Sequence, residues 1–254
     1  MLSALEQLLF PAECVLCHAL LPLERSRDFV CPLCRHRWRP VVPPWCERCG
    51  QPEPLFGRCR VCRDWPAALR QVRSAVWLDG AARRAVHALK YGGLPRIAAD
   101  LAAAVARLRP TLPLPLPLPL PRAGAALVPV PLGARRLRIR GYNQSALLAH
   151  ALARRWQYPV CDLLVRTRET ATQTTLTPAA RLANVAGAFE ARNAEGGTRN
   201  GSAFPLRTST LVLVDDVFTT GATLAAAALA LEAAGARAIV AVTFGRAIIP
   251  DFLS

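Results

Sequence analysis

Along the first half of the chain, the apolar residues follow first a strand period and then a helix period. Residues 72–78 alternate weakly between apolar and polar positions, which predicts a strand. In residues 81–90 the apolar positions have helical spacing and a glycine pair follows, which predicts a helix that ends there. A second helix is predicted at about residues 95–108. The predicted inward face of the first helix consists of Ala81, Ala85, Val86 and Leu89.

A continuous apolar run near the C-terminus predicts a buried strand followed by a helix. Residues 211–214 are all apolar, as in a parallel strand that is buried on both faces. The run stops at the adjacent acids Asp215 and Asp216, and a threonine-rich loop then leads into an alanine-rich helix. We therefore expect a three-layer α/β domain with a mostly parallel sheet.

An arginine-rich segment follows another short apolar strand, which begins at Ala126. We expect this segment to be a turn, after which Asn143 caps a helix that runs to about Trp156. Arginines at the end of this strand would lie at the same edge of the sheet as Asp215, where their guanidinium groups could bind a pyrophosphate. A solvated basic turn is the alternative. The arginines of the turn are Arg135, Arg136, Arg138 and Arg140.

The threonine-rich loop and the two acids together predict a sugar-phosphate site. The C-terminal ends of parallel strands are where α/β sheets bind ligands, and a helix N-terminus favours an anion. The carboxylates would accept the sugar hydroxyls while the loop holds the phosphate. The alternative is a strand, turn and helix with an Asp cap and no ligand. Asp215 and Asp216 are the candidate catalytic residues, and the candidate ligand-binding residues beside them are Val217, Thr219, Thr220, Gly221, Ala222 and Thr223.

Eight of the nine cysteines form four Cys-x-x-Cys pairs near the N-terminus. This spacing allows two thiolates to bind one tetrahedral zinc ion, so two pairs complete a Cys₄ site. A disulfide framework is the alternative, but it requires an oxidising compartment. We expect two structural zinc sites, with nucleic-acid recognition by the zinc module as the other possibility. The expected ligands are Cys14, Cys17, Cys31 and Cys34 for the first site, and Cys46, Cys49, Cys59 and Cys62 for the second.

The charge of the chain is strongly basic, with a net charge of +15 and a pI near 10.8. Such a surplus is consistent with binding to a polyanion, although a GC-rich genome also favours arginine over lysine. Lys90 is the only lysine. Either a compact ammonium is required there, or Lys90 only complements the C-terminus of its helix.

Three further features concern location and loops. We expect a cytoplasmic protein, because the sequence has neither a run of 18 apolar residues nor a basic N-terminal leader. Residues 112–121 are a Leu-Pro repeat, which predicts a stiff polyproline II insertion that is either a tolerated loop or a docking segment. Residues 169–189 are a polar segment that is either a lid or a plain surface loop, with a short helix predicted from Pro178.

The acids and the loop resemble the 5-phosphoribosyl-1-pyrophosphate (PRPP) motif of type I phosphoribosyltransferases. With the cysteine pairs and several other motifs, most of the chain resembles the ComF family of phosphoribosyltransferase-like proteins. These other motifs are Leu89-Lys90-Tyr91, the segment 128–131, Arg135-Arg136, the segment 140–144, Thr172-Gln173, Arg181, Asn184 and the segment 187–189.

The resemblance implies a double zinc ribbon over residues 1–66 and a phosphoribosyltransferase-like domain over 67–254. It implies that Lys90, Arg135 and Arg136 help to bind PRPP with Mg²⁺. It also implies a role in natural transformation on internalised single-stranded DNA, beside a helicase partner. Whether the chain is a phosphoribosyltransferase in the catalytic sense stays open. The alternative is a non-catalytic module that binds single-stranded DNA, recruits a partner and reuses the phosphoribosyl pocket.

Overall fold

A four-stranded parallel sheet forms the centre of the protein. The computed structural model describes residues 9, 11–22, 24, 28–52, 59–114, 124–168, 187–192 and 205–248. The strands are β1 (Leu69–Trp77), β2 (Ala125–Pro129), β5 (Thr210–Phe218) and β6 (Ala238–Arg246). Their order is β1-β6-β5-β2, and each neighbouring pair is parallel. The predicted α/β class is confirmed, and Asp215 and Asp216 lie within β5 near its C-terminal end.

The continuous apolar run of β5 serves both faces of the sheet. Leu211 and Leu213 belong to one buried core, and Val212 and Val214 belong to the other. The helices α2 (Gly80–Tyr91), α3 (Ala98–Ala106) and α5 (Gln144–Trp156) pack on the valine side. The helix α6 (Ala222–Ala233) packs on the leucine side. Three layers result, as expected.

Most predicted helices agree closely with the observed ones. Helix α2 buries all four residues of its predicted inward face. The Asn143 side chain accepts a hydrogen bond from Ser145 N and so caps α5, as predicted. The segment predicted as one helix over 95–108 is divided into a 3₁₀ turn, Pro95–Ile97, and α3.

The prediction of an arginine-rich turn after β2 is wrong. Residues Ala134–Arg140 form a short helix, α4, which begins after Gly133 and ends at Gly141 with a left-handed φ of 80°. Arginine and leucine have high helix propensity, and the two glycines limit the helix to seven residues. Helix α4 buries none of its residues, so the apolar pattern gave no sign of it.

Two short strands, β3 (Leu164–Arg166) and β4 (Phe189–Ala191), form a separate antiparallel pair. Residues 169–186, which contain most of the predicted lid and the predicted helix at Pro178, lie outside the described residues. Of the Leu-Pro repeat, the structure describes only residues 112–114. The predicted roles of both segments stay predictions.

The cysteine-rich region packs against both faces of the sheet. After a short helix α1 (Pro32–His36), Trp38 contacts Phe244 of β6 with ring centroids 4.9 Å apart. Trp65 contacts Phe218 of β5 on the other side, at 6.1 Å. Each tryptophan is buried in a different core. The division of the chain at residues 66 and 67 stays a prediction.

Candidate functional site

A cavity of about 620 Å³ opens at the C-terminal ends of β2 and β5. Its wall contains the end of α2, helix α4, the start of α5, the acids of β5 and the loop before α6. The position agrees with the general rule for parallel sheets. The polar and charged side chains in its wall are Lys90, Tyr91, Arg136, Arg140, Tyr142, Gln144, Ser145, Arg166, Asp215, Asp216, Thr219 and Thr223.

The two carboxylates are held in place by the first turn of α5. Ser145 Oγ donates to Asp215 Oδ1 at 2.8 Å, and Gln144 Nε2 donates to Asp216 Oδ1 at 3.2 Å. The backbone N–H of Asp216 also donates to Asp215 Oδ1, at 2.9 Å. These bonds fix the orientation of both acids before any ligand arrives.

Lys90 supplies the positive charge next to the acids. It lies in the last turn of α2, and its Nζ forms an ion pair with Asp216 Oδ2. Asp216 is buried, whereas the Lys90 side chain is 22% exposed towards the cavity. The only lysine of the chain is therefore both a helix C-terminal charge and a partner of the acid pair.

The acid pair has an unusual protonation equilibrium. Burial raises the pKa of Asp215 to about 7, and the neighbouring Asp216 carboxylate acts in the same direction. The Lys90 ammonium and the Ser145 hydroxyl lower that pKa but do not cancel the burial effect. A carboxyl group with this pKa changes its charge near neutral pH, which is common at functional sites.

The threonine-rich loop presents only part of its residues to the cavity. Val217, Thr219 and Thr223 line it. Thr220 and Ala222 are buried instead, and Gly221 has a left-handed φ of 79° directly before α6. A loop of this kind can offer two hydroxyls and the N-terminus of a twelve-residue helix to an anion.

The arginines after β2 divide between two faces of α4. Arg136 and Arg140 line the cavity, whereas Arg135 and Arg138 are not among the lining residues that the structure describes. Residues four apart share one face of a helix, but residues 135 and 136 are adjacent and point about 100° apart. The expected pair Arg135 and Arg136 is thus replaced at the cavity by Arg136 and Arg140.

Sequence reasoning did not single out Ser145, and it named Tyr91 and Gln144 only as parts of the family motifs, without a chemical role. The signal for Gln144 and Ser145 was available, because the predicted Asn143 cap places them in the first turn of a helix at the same sheet edge. Tyr91 is 70% exposed, and the Arg140 guanidinium lies 5.4 Å from its ring centroid. No pattern in the sequence predicts that α2 and α4 lie next to each other, which is why the contact between Tyr91 and Arg140 was not expected.

The eight N-terminal cysteines form two clusters with the predicted membership. In each cluster the four sulfur atoms lie within 4.8 Å of one another. Sulfur separations of 3.7 Å for Cys17–Cys31 and for Cys46–Cys62 agree with the roughly 3.8 Å expected when four thiolates surround zinc at ~2.3 Å. All nine cysteines of the chain have free thiols, so the disulfide alternative is not supported.

The residues present therefore fit two structural zinc ions. Four sulfur ligands leave no open position for a substrate, which excludes the usual arrangement of a catalytic zinc site. A hydrogen bond from Cys49 lowers the pKa of Cys59 to about 5, so this ligand is already a thiolate at neutral pH. We call Cys14, Cys17, Cys31 and Cys34 the first cluster, and Cys46, Cys49, Cys59 and Cys62 the second cluster.

Comparison with known proteins agrees with this combination. The double zinc ribbon domain family matches residues 5–65, and the phosphoribosyl transferase domain family matches residues 143–248. The fold and the two sets of residues thus define a phosphoribosyltransferase-like protein with an N-terminal double zinc ribbon.

Individual relatives extend over most of the chain. The DNA utilization protein YhgH of Salmonella typhi is 33% identical over 239 residues, which cover 90% of this chain and 94% of that protein. YhgH of Salmonella typhimurium is 32% identical over 233 residues. The competence protein ComFC of Bacillus subtilis is 27% identical over 230 residues, which cover 86% of this chain and 84% of that protein. The chain belongs to the ComF family.

Proposed function

We propose that the cavity binds PRPP together with Mg²⁺. The observation that carries the proposal is a pre-oriented acid pair, with Asp216 buried and Asp215 partly buried, beside a threonine-lined helix N-terminus in a basic cavity. Asp215 and Asp216 accept the ribose hydroxyls. The loop from Val217 to Thr223 holds the 5-phosphate through Thr219, Thr223 and the backbone at the start of α6. Arg136 and Lys90 bind the pyrophosphate.

Magnesium fits this set of residues as a partner of the ligand. Mg²⁺ prefers oxygen ligands and keeps several waters, so phosphate oxygens of PRPP would provide most of its shell. The carboxylates of Asp215 and Asp216 add negative charge on the sugar side. When it is bound, the ion would neutralise pyrophosphate charge. The chain's own contribution is to orient the ribose and to surround the phosphates with arginine, lysine and N–H donors.

We further propose that the chain acts in the cytoplasm during DNA uptake, on internalised single-stranded DNA beside a competence helicase. Support comes from the names of the relatives, a DNA utilization protein and a competence protein, and from the net charge of +15. Among the described residues there is no helix whose length and hydropathy would suit a membrane span. The two candidate functions differ in the ligand of the cavity, which is PRPP in the first and a sugar phosphate within a DNA strand in the second.

The second candidate is a non-catalytic DNA-binding module that reuses the same pocket. One observation favours it: the exposed Tyr91 ring and the exposed Ile139 lie at the cavity beside Arg136 and Arg140. Aromatic rings that stack on bases, next to arginines that contact phosphates, are the usual elements of single-strand binding. A sugar phosphate within a DNA strand could then occupy the cradle in place of PRPP.

Calorimetric titration with PRPP and Mg²⁺ tests the first candidate. We expect saturable binding to the wild type and its loss in Asp215→Asn/Asp216→Asn. The matched control is Asp64→Asn/Asp79→Asn, which replaces two carboxylates by amides at residues outside the cavity wall and should bind normally. Absence of binding to the wild type would rule out the proposal.

The affinity for single-stranded DNA as a function of salt tests the second candidate. Phosphate contacts release counterions, so the affinity should fall steeply as salt rises. Arg136→Gln/Arg140→Gln should reduce the salt slope by about two, whereas Arg63→Gln/Arg70→Gln, two arginines outside the cavity, should change it less. A flat salt dependence would contradict DNA binding. Competition between PRPP and DNA would indicate a shared pocket.

A further inference from the structure

The second cluster lies directly behind the phosphate-binding loop. Trp65 follows the ligand Cys62 by three residues, and its indole covers Gly221. A Cβ atom placed on Gly221 would lie only 2.4 Å from Trp65 Cζ2 and 3.0 Å from Phe218 Cε2. Thus the loop and the tryptophan are in tight contact at the residue where the chain turns into α6.

The position of Trp65 depends on the second cluster through Arg48. This arginine lies between the ligands Cys46 and Cys49, and its guanidinium donates to the carbonyls of Cys62, Trp65 and Pro66 at 2.9, 3.2 and 2.7 Å. One side chain therefore joins both halves of the cluster to the backbone of Trp65. The Trp65 Nε1–H is buried without a hydrogen-bond partner among the described residues. Packing and the backbone, rather than a bond of its own, hold the indole.

A second connection runs through Arg246, at the end of β6. Its Nη1 donates to the Cys49 carbonyl at 2.9 Å, and its guanidinium lies 4.2 Å from the ring centroid of Phe218. Phe218 is the last residue of β5 and contacts both Gly221 and Trp65. Arg246 is 1% exposed, so its guanidinium connects the backbone of the second cluster to the Phe218 ring inside the core.

The first cluster provides an internal comparison. It also precedes a tryptophan, Trp38, but this side chain packs on Phe244 at the opposite face of the sheet. Arg35, next to the ligand Cys34, is tied to Asp100 of α3 at 3.2 Å. The first cluster therefore rests on the layer of α2, α3 and α5, away from Trp65.

We propose that Trp65 is a positioning residue for the loop 219–223, so that metal in the second cluster and phosphate ligand at the loop are thermodynamically coupled. The ligand side of this coupling rests on the proposed function. A metal-bound cluster fixes Cys49, Cys62 and the backbone of Trp65, and thereby the space available to Gly221. Linkage is reciprocal, so a ligand at the loop must also strengthen metal retention in the second cluster.

Zinc occupancy at equilibrium with a zinc-selective competing chelator, with and without PRPP and Mg²⁺, tests the coupling in the full chain. In the wild type we expect PRPP to raise the zinc affinity of one of the two sites about ten-fold, in the range of typical coupling. In Trp65→Leu this effect should disappear and PRPP affinity should fall by a similar factor. In the matched variant Trp38→Leu both should persist. Equal protection of both ions, or of neither while PRPP binds, would overturn the proposal.

A ligand-free measurement separates this proposal from PRPP binding itself. Hydrogen exchange of the backbone amides at residues 219–224 should be about ten-fold faster in Trp65→Leu than in Trp38→Leu, because only the first variant removes the contact with Gly221. If Trp65→Leu does not fold, Arg48→Gln provides the same comparison with the indole retained. Equal exchange in the compared variants would refute the positioning role even if PRPP never binds.

Discussion

Substitution of Gly221 by alanine isolates the contact between the loop and the second cluster. Two effects act there. Gly221 has a φ of 79°, in the left-handed region that alanine enters at a cost of about 1–2 kcal/mol. In addition, the new Cβ would meet Trp65 Cζ2 at 2.4 Å and must displace the ring of a buried tryptophan. Overpacking of this kind costs about 1–3 kcal/mol.

Gly141 provides the matched control. Its φ is 80°, but a Cβ there meets nothing within 4 Å. Gly141→Ala should therefore lose only the backbone contribution, about 1–2 kcal/mol, whereas Gly221→Ala should lose about 2–5 kcal/mol in the free energy of unfolding. Addition of Trp65→Leu to Gly221→Ala should bring the cost of the alanine down towards the Gly141 value, because the 2.4 Å contact is gone and only the Phe218 ring at 3.0 Å stays close.

Urea unfolding of the zinc-loaded protein, followed by circular dichroism, measures these free energies. The slopes of the transitions must agree among the variants before their midpoints are compared. If Gly221→Ala and Gly141→Ala lose the same free energy, or if Trp65→Leu fails to reduce the cost at Gly221, the close approach of Trp65 to the loop is refuted.

Three further predictions concern the acid pair, the first cluster and the metal content. The folded protein binds the Asp215 proton more tightly than the unfolded chain, because the pKa of Asp215 is about 7 in the fold and about 3.9 in the unfolded chain. The resulting contribution to the free energy of unfolding is complete below about pH 4 and is lost as the pH rises through about 7. Asp215→Asn should flatten this decline in a pH series of urea midpoints; an unchanged decline would assign it to another group. Asp100 is buried and accepts from Phe29 N at 3.2 Å besides its ion pair with Arg35, so Asp100→Ala should cost about 3–5 kcal/mol in urea unfolding. The exposed Asp64, paired with a neighbouring arginine, is the control, and Asp64→Ala should change stability by less than about 1 kcal/mol; equal losses would contradict the buried clamp. Metal analysis of the purified protein should give two zinc ions per chain, and fewer than one in a folded preparation would contradict the Cys₄ sites.

The sequence was sufficient to predict those structural elements and sites that are formed within a single short segment. The apolar run before Asp215 and the alanine-rich segment after Thr223 were enough to predict β5 and α6. The Cys-x-x-Cys spacing predicted the membership of both clusters, because each half-site is formed by residues three apart. The cap at Asn143 was visible for the same reason.

Other features failed because they depend on neighbours that are distant in sequence. Helix α4 buries no residue, so no apolar periodicity marks it in the sequence. That Arg136 and Arg140 lie on the same face can be inferred only after the segment is known to be a helix. The approach of α2 to β5 is likewise invisible in the sequence. It brings Lys90 into contact with Asp216, which lies more than a hundred residues later in the sequence.

The sequence alone thus determined the parallel α/β class, the two cysteine clusters and the chemical character of the loop, since each rests on spacing within a short segment. The tertiary structure decided which arginines face the cavity, which helix orients the acids and where the zinc ribbon sits. Those outcomes depend on packing against both faces of one sheet. Trp65 illustrates the difference: in the sequence it is one tryptophan after a cysteine pair, and in the fold it fixes the space above Gly221.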